Sequence, residues 1–182
     1  MRVTLSSSVI DIRVWKADKA MMDYLEGCKK HVVLGNPKEH ERAITLAYSP
    51  GLLSQEQVGL AVGVFATEEN FEPQAMVLEQ AGLLIIGFER ELVAVDLAWA
   101  RIRFKIDFET YFREMIYLEQ IGILAFEEIG VSAISLKGAK RWTFTKDVIT
   151  SIKLESQSLR LEFMDSQPAV VNIESGAVSN SQ

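Results

Sequence analysis

Leu78-Glu79-Gln80-Ala81-Gly82-Leu83-Leu84-Ile85-Ile86-Gly87-Phe88 and Leu118-Glu119-Gln120-Ile121-Gly122-Ile123-Leu124-Ala125-Phe126 share one phrase: leucine, Glu-Gln, an apolar residue, glycine, then an apolar run. A shorter copy, Glu56-Gln57-Val58-Gly59-Leu60, stands upstream. The copies are unevenly spaced, which excludes a regular solenoid array. The phrase is the pattern of a helix that ends on a core-facing leucine. Glycine then takes the left-handed position beyond the last turn, and a strand follows. This predicts helix ends at Gly82 and Gly122. Upstream of Gly122, Phe108, Tyr111, Phe112, Met115 and Leu118 recur every three or four residues and predict a helix over 107–120. Downstream, Leu83–Phe88 with Leu92–Leu97, and Ile123–Phe126 with Val131–Leu136, predict hairpins with polar tips at Glu89-Arg90-Glu91 and at Glu127-Glu128.

Elsewhere the periods alternate. Ile10, Ile12 and Val14 predict a strand, and the spacing of Ala17, Met21, Leu25, Cys28 and Val32 predicts an amphipathic helix. Residues 38–48 read as a short helix with Ala43, Ile44 and Ala47 inward. Past residue 140, Trp142/Phe144, Ile152/Leu154, Leu159/Leu161/Phe163 and Val171/Ile173 predict short strands joined by polar turns. Residues 175–182, SGAVSNSQ, have no core-forming side chains and are expected to be a disordered tail.

The order helix, Leu53-Ser54 opening a second helix, Leu78-Glu79-Gln80-Ala81-Gly82-Leu83 closing another, then a hairpin, resembles winged-helix (winged helix-turn-helix) domains. Residues 108–142 resemble a second partial copy, its wing closing at Leu136-Lys137-Gly138-Ala139-Lys140-Arg141-Trp142. The resemblance implies an α+β fold with winged-helix-like helix–hairpin units in the middle and a C-terminal antiparallel β-meander. The expected divisions are an N-terminal strand and helix at 1–37, an acidic winged-helix-like unit at 38–100, a second helix–hairpin unit at 101–146, the meander at 147–174 and the tail.

Charge separates the function classes. The 182 residues carry a net −6, and residues 54–100 alone carry −7, with Arg90 against eight carboxylates. The segment corresponding to a DNA-reading helix holds Glu68, Glu69 and Glu72 and no base, so it would repel a phosphate backbone. These three glutamates are therefore candidates for binding a basic protein partner. Lys137, Lys140 and Arg141, at the base of the second hairpin, are the candidates for nucleic-acid contact.

No sequence pattern joins a nucleophile to an oriented base, and no phosphate-loop, dinucleotide or CxxC motif is present. The expectation is a non-enzymatic interaction or regulatory module without catalytic residues, metal or cofactor, bound to a protein partner or to itself. A DNA-binding transcription regulator is the alternative, and a metal-dependent nuclease using Glu89, Glu91, Asp96 and Lys105 is the third reading. Glu39-His40-Glu41 occupy consecutive helix positions and cannot converge, and Cys28 and His31, though on the same side of their helix, have no third orienting group. The single cysteine, Asp11 and Arg13 inside the first apolar stretch, and the lack of a long uncharged apolar segment point to a reducing, cytoplasmic location without membrane association.

Overall fold

The computed structural model describes residues 2–4, 8–50, 58–68 and 72–179. The helices expected in the middle of the chain are strands. The elements are β1 (Arg2–Thr4), β2 (Ser8–Trp15), α1 (Asp18–Gly27), β3 (His31–Gly35), β4 (Arg42–Pro50), β5 (Leu60–Ala66), β6 (Gln74–Leu78), β7 (Leu83–Phe88), β8 (Glu91–Asp96) and β9 (Arg101–Asp107). They continue with β10 (Phe112–Leu118), β11 (Gly122–Glu127), β12 (Gly130–Ile134), β13 (Lys140–Thr145), β14 (Ile149–Leu154), β15 (Ser158–Phe163), β16 (Ala169–Asn172) and β17 (Val178–Ser179). The α+β, winged-helix reading is thus corrected to a nearly all-β chain, with α1 the single α-helix among the described residues. That helix is too short to cross a membrane, and the rule says nothing of strands.

One five-stranded sheet has the order β1-β2-β4-β5-β3, antiparallel except where β3 runs parallel to β5. Three four-stranded sheets follow, each a run of consecutive strands: β6-β7-β8-β9, β10-β11-β12-β13 and β14-β15-β16-β17. By internal contacts the chain divides into two compact units, residues 1–72 with 77–84 and 95–102, and residues 73–76 with 85–94 and 103–182.

In the first unit α1 buries Met21 and Leu25 against Ala43, Ala61 and Phe65. The expected helix over 38–48 is instead the turn after β3 and most of β4, whose residues 43–48 are all buried. A strand buried on both faces reads as a continuous apolar run, and periodicity cannot tell it from a helix. Gly63 lies under the helix, where an added Cβ would come within 2.6 Å of Leu25.

In the second unit one core is shared by two sheets. Leu124, Phe126, Val131 and Ala133 pack with Ile149, Leu159, Leu161, Phe163 and Val171. The face of the last sheet turned away from that core is polar: Arg160 and Glu162 of β15 are exposed, as are their cross-strand partners Lys153 and Ser151. The expected tail begins as ordered chain: Val178 and Ser179 pair with Val171 and Val170, while residues 180–182 lie outside the described set.

The repeated phrase is a hairpin connection. In the first copy β6 ends at Leu78, Glu79–Ala81 form one 3-10 turn, and Gly82 (φ 65°, ψ 34°) is left-handed before β7 starts. In the second, the Ile121 N–H donates to Leu118 O, and Gly122, at φ 105°, pairs with Leu118. The glycine conformation is the one expected, but the element it closes is a strand pair rather than an α-helix. Of the upstream copy, Glu56 and Gln57 lie outside the described residues, and Gly59 donates its N–H to Tyr48 O as β4 passes to β5.

Candidate functional site

The residues singled out from the sequence belong to different strands and turns. Glu68 and Glu72 are exposed on the connection from β5 to β6, and Glu69 lies outside the described residues. Glu79, on the turn after β6, is also exposed. Its charge, after burial, contributes to raising the Tyr48 phenol above its ordinary range. There is no recognition helix here, because residues 74–78 are strand β6.

Lys137, Lys140 and Arg141 do not form a wing. Lys137 sits in the turn between β12 and β13, while Lys140 and Arg141 open β13, where the register with β12 shifts between Ala133 and Ile134. Lys140 Nζ donates to Asp107 O at 3.4 Å and lies 5.4 Å from the Phe108 ring. Arg141 donates to Gln120 O at 3.2 Å. Two of the three cations are thereby turned toward main-chain carbonyls of the protein itself.

The nuclease quartet is likewise used for structure. Lys105 Nζ lies 2.5 Å from Glu91 Oε1 and 3.4 Å from Asp107 Oδ1, an ion pair between β8 and β9. Asp96 is 3% exposed, and its Oδ1 accepts the N–H groups of Ala98 and Trp99, each at 3.0 Å. Glu89 occupies the β7–β8 turn at φ 47°. Among the described residues no three His, Cys, Asp or Glu side chains are grouped as a metal ion would need.

These roles carry different energies. Asp96→Ala is expected to cost about 1–3 kcal/mol in urea unfolding, since it leaves two turn N–H groups without their acceptor. Lys105→Ala should cost under about 1 kcal/mol, because the pair is solvated. The Glu91 hydrogen bond is the main cause that raises the Lys105 ammonium above its ordinary value, with partial burial opposing it. The folded value lies above the unfolded one, so the contribution is complete below the unfolded value and lost as pH rises through the folded one. Asp96→Ala and Lys105→Ala proteins of equal stability would refute this ordering.

His40 and Cys28 complete the survey. His40 Nε2 lies 2.9 Å from Asp18 Oδ1, its ring meets Phe65 edge-on, and its buried Nδ1 has no hydrogen-bond partner among the described residues. Its neighbour Glu39 instead accepts from Asn36 Nδ2, which separates the members of Glu39-His40-Glu41. His31 faces the Cys28 carbonyl oxygen at 3.4 Å rather than its thiol, and the thiol hydrogen-bonds Tyr24. A cleft of about 530 Å³ opens beside the end of α1, lined by Cys28, Lys29, Lys30, Pro50 and Val58 among others.

What sequence reasoning passed over is Trp99. It lies in the turn from β8 to β9 and is 73% exposed; Ile102, three residues on in β9, is 47% exposed. The available signal was Asp96 three residues before it, since aspartate caps turns through its own side chain.

No family model matches the chain, and no curated protein matches it. Many solved structures are similar, two of them as follows. The computationally designed Ika4 protein has 10% identity over 56% of this chain and 66% of its own, with a TM-score of 0.46. BamB from Moraxella catarrhalis, a β-propeller, has 12% identity over 74% of this chain and 42% of its own, with a TM-score of 0.51. The chain spans less than half of that protein, and at this identity the likeness is one of fold. It corrects the winged-helix resemblance: the consecutive four-stranded sheets are propeller-like.

Proposed function

We propose that the chain is a non-enzymatic protein-interaction module that docks a basic partner surface on the acidic connection between β5 and β6. The observation that supports this reading is the exposure of Glu68, Glu72 and Glu79 in the segment that holds the chain's largest charge bias. Carboxylates at the rim of an interface steer a basic partner and fix its register, and reversing them acts mainly on association rate and salt dependence.

The test uses a fluorescent lysine-rich 12-residue peptide titrated by anisotropy at low and physiological salt. E68K/E72K is expected to weaken binding by roughly ten-fold at low salt, in line with losing two complementary charges. E162K/E174K changes net charge equally, on exposed positions of the last sheet, and should leave most of the affinity. Equal losses in the two variants would mean the peptide reads only net charge, and the proposal would fail.

A further inference from the structure

We infer that the outer edge of β3 takes up an extended segment of a protein partner as an added antiparallel strand, with carboxylates at that segment's C-terminal end held in the cleft beside α1. β3 stands last in the five-stranded sheet and pairs on one side, with β5. The parity of that ladder decides which main-chain groups face outward. The Ala61 N–H donates to Lys30 O at 3.0 Å, so Lys30, Val32 and Leu34 turn their main-chain polar groups toward β5. His31 and Val33 turn theirs away, and no main-chain group among the described residues pairs with them.

An unpaired edge recruits another strand unless something blunts it. Within His31–Gly35 there is no proline, no lysine and no bulge, and the register with β5 runs unbroken from His31 to Gly35. His31 and Gly35, at its two ends, are exposed. A strand added here gains main-chain hydrogen bonds whatever its sequence, so the choice of partner falls to side-chain sites along the edge.

The cleft supplies that choice. Its described lining includes Cys28, Lys29, Lys30, Pro50, Val58 and Gly59, with two cations and no carboxylate. Lys30 directly precedes β3 and its carbonyl accepts from β5, so the cleft lies at the N-terminal end of the edge. An antiparallel strand brings its C-terminal end to that point, a parallel one its N-terminal end. Lys29 and Lys30, both exposed, favour carboxylates there over an ammonium, which selects the antiparallel direction. Two carboxylates are near in sequence. Glu26 is exposed in the last turn of α1 and is not among the lining residues, and Glu56 lies outside the described residues. A second copy of this chain fits less well: behind its own β3 come Asn36, Pro37 and Lys38, which would bring a proline and a cation to the cleft.

The experiment selects random 12-residue peptides displayed on phage against the full chain, then titrates synthetic winners by fluorescence anisotropy. The winners should carry Asp or Glu toward the C-terminal end, behind a stretch rich in β-branched and aromatic residues. Methylating their main-chain nitrogens one at a time should cost about ten-fold or more at every second position and much less between, as for a strand bonded along one edge. Moving the carboxylates to the N-terminal end at constant composition should weaken binding about ten-fold, and so should K29E/K30E. E68K/E72K should leave it unchanged, so this surface and the acidic one can fail separately. Circular dichroism checks that K29E/K30E is folded, and the methylated peptides require no change in the protein.

Four outcomes overturn the inference. The selection yields no binder, or the methylation losses do not alternate. Binding is indifferent to the placement of the carboxylates or to K29E/K30E. The last is a wild-type dimer that the winning peptides dissociate, which would give the edge to a second copy.

Discussion

Gly122→Ala is expected to destabilise the protein by about 3 kcal/mol or more, while Gly82→Ala costs about 1 kcal/mol. Both glycines have positive φ, at 105° and 65°, so both substitutions carry the penalty of a Cβ in that region. Removing glycine also restricts the unfolded chain, which offsets part of the penalty. The difference is space. A Cβ on Gly82 meets nothing within 4 Å, whereas on Gly122 it overlaps the carbonyl oxygen of Ile134 and approaches Ser135 Cα at 3.2 Å. Those are backbone atoms of the adjoining strand β12 and the turn after it, and they cannot rotate away. Guanidinium unfolding of the two variants checks this, and equal losses would show that conformation alone sets the cost.

Phe126→Ala should cost about 3–5 kcal/mol, the range for emptying a fully enclosed aromatic site. Phe126 is completely buried in the core that β10–β13 and β14–β17 share. The loss should therefore appear in both sheets, with amide protection falling for β11 and for β15 together. Met164→Ala, at a side chain 64% exposed, is the control and should stay within about 0.5 kcal/mol of the parent. If protection in β15 were unchanged by Phe126→Ala, the shared core would be refuted.

The alternations were legible because one face of each strand is buried. Leu159, Leu161 and Phe163 are enclosed while Arg160 and Glu162 are in solvent, and the period of two survives intact. The hairpin tips at Glu89-Arg90 and Glu128-Ile129 and the helix on Met21 and Leu25 were legible for similar reasons. The middle of the chain was not. In β10 the register shifts between Phe112 and Glu114, whereas Met115 and Leu118 lie in regular register on opposite faces of the strand, so apolar residues on both faces imitate a helical spacing. Phe108 and Tyr111, which completed the apparent stripe, belong to the loop before β10. The glycine phrase misled for a related reason, since a left-handed residue closes a helix and a hairpin turn alike.

The candidate surfaces were partly legible. Exposure of Glu68 and Glu72 followed from charge, but the main-chain carbonyls that take up Lys140 and Arg141 belong to other strands and turns and were not legible in the sequence. Trp99 needed its turn. An aromatic residue in an apolar run is expected inside, and only the Asp96 cap and the left-handed Ala100 show why this one faces water.

The parallel pairing of β3 with β5 carries a kinetic consequence. His31 stands opposite Ala61 and Gly35 opposite Phe65, so the chain must close a long loop, through β4, before this ladder gains its first hydrogen bond. Pairs such as β11 with β12 or β15 with β16 meet their neighbours within a few residues of a turn. Local ladders form early and distant ones late. The five-stranded sheet is therefore where folding waits, and β3 is the strand a nascent or heated chain holds least securely.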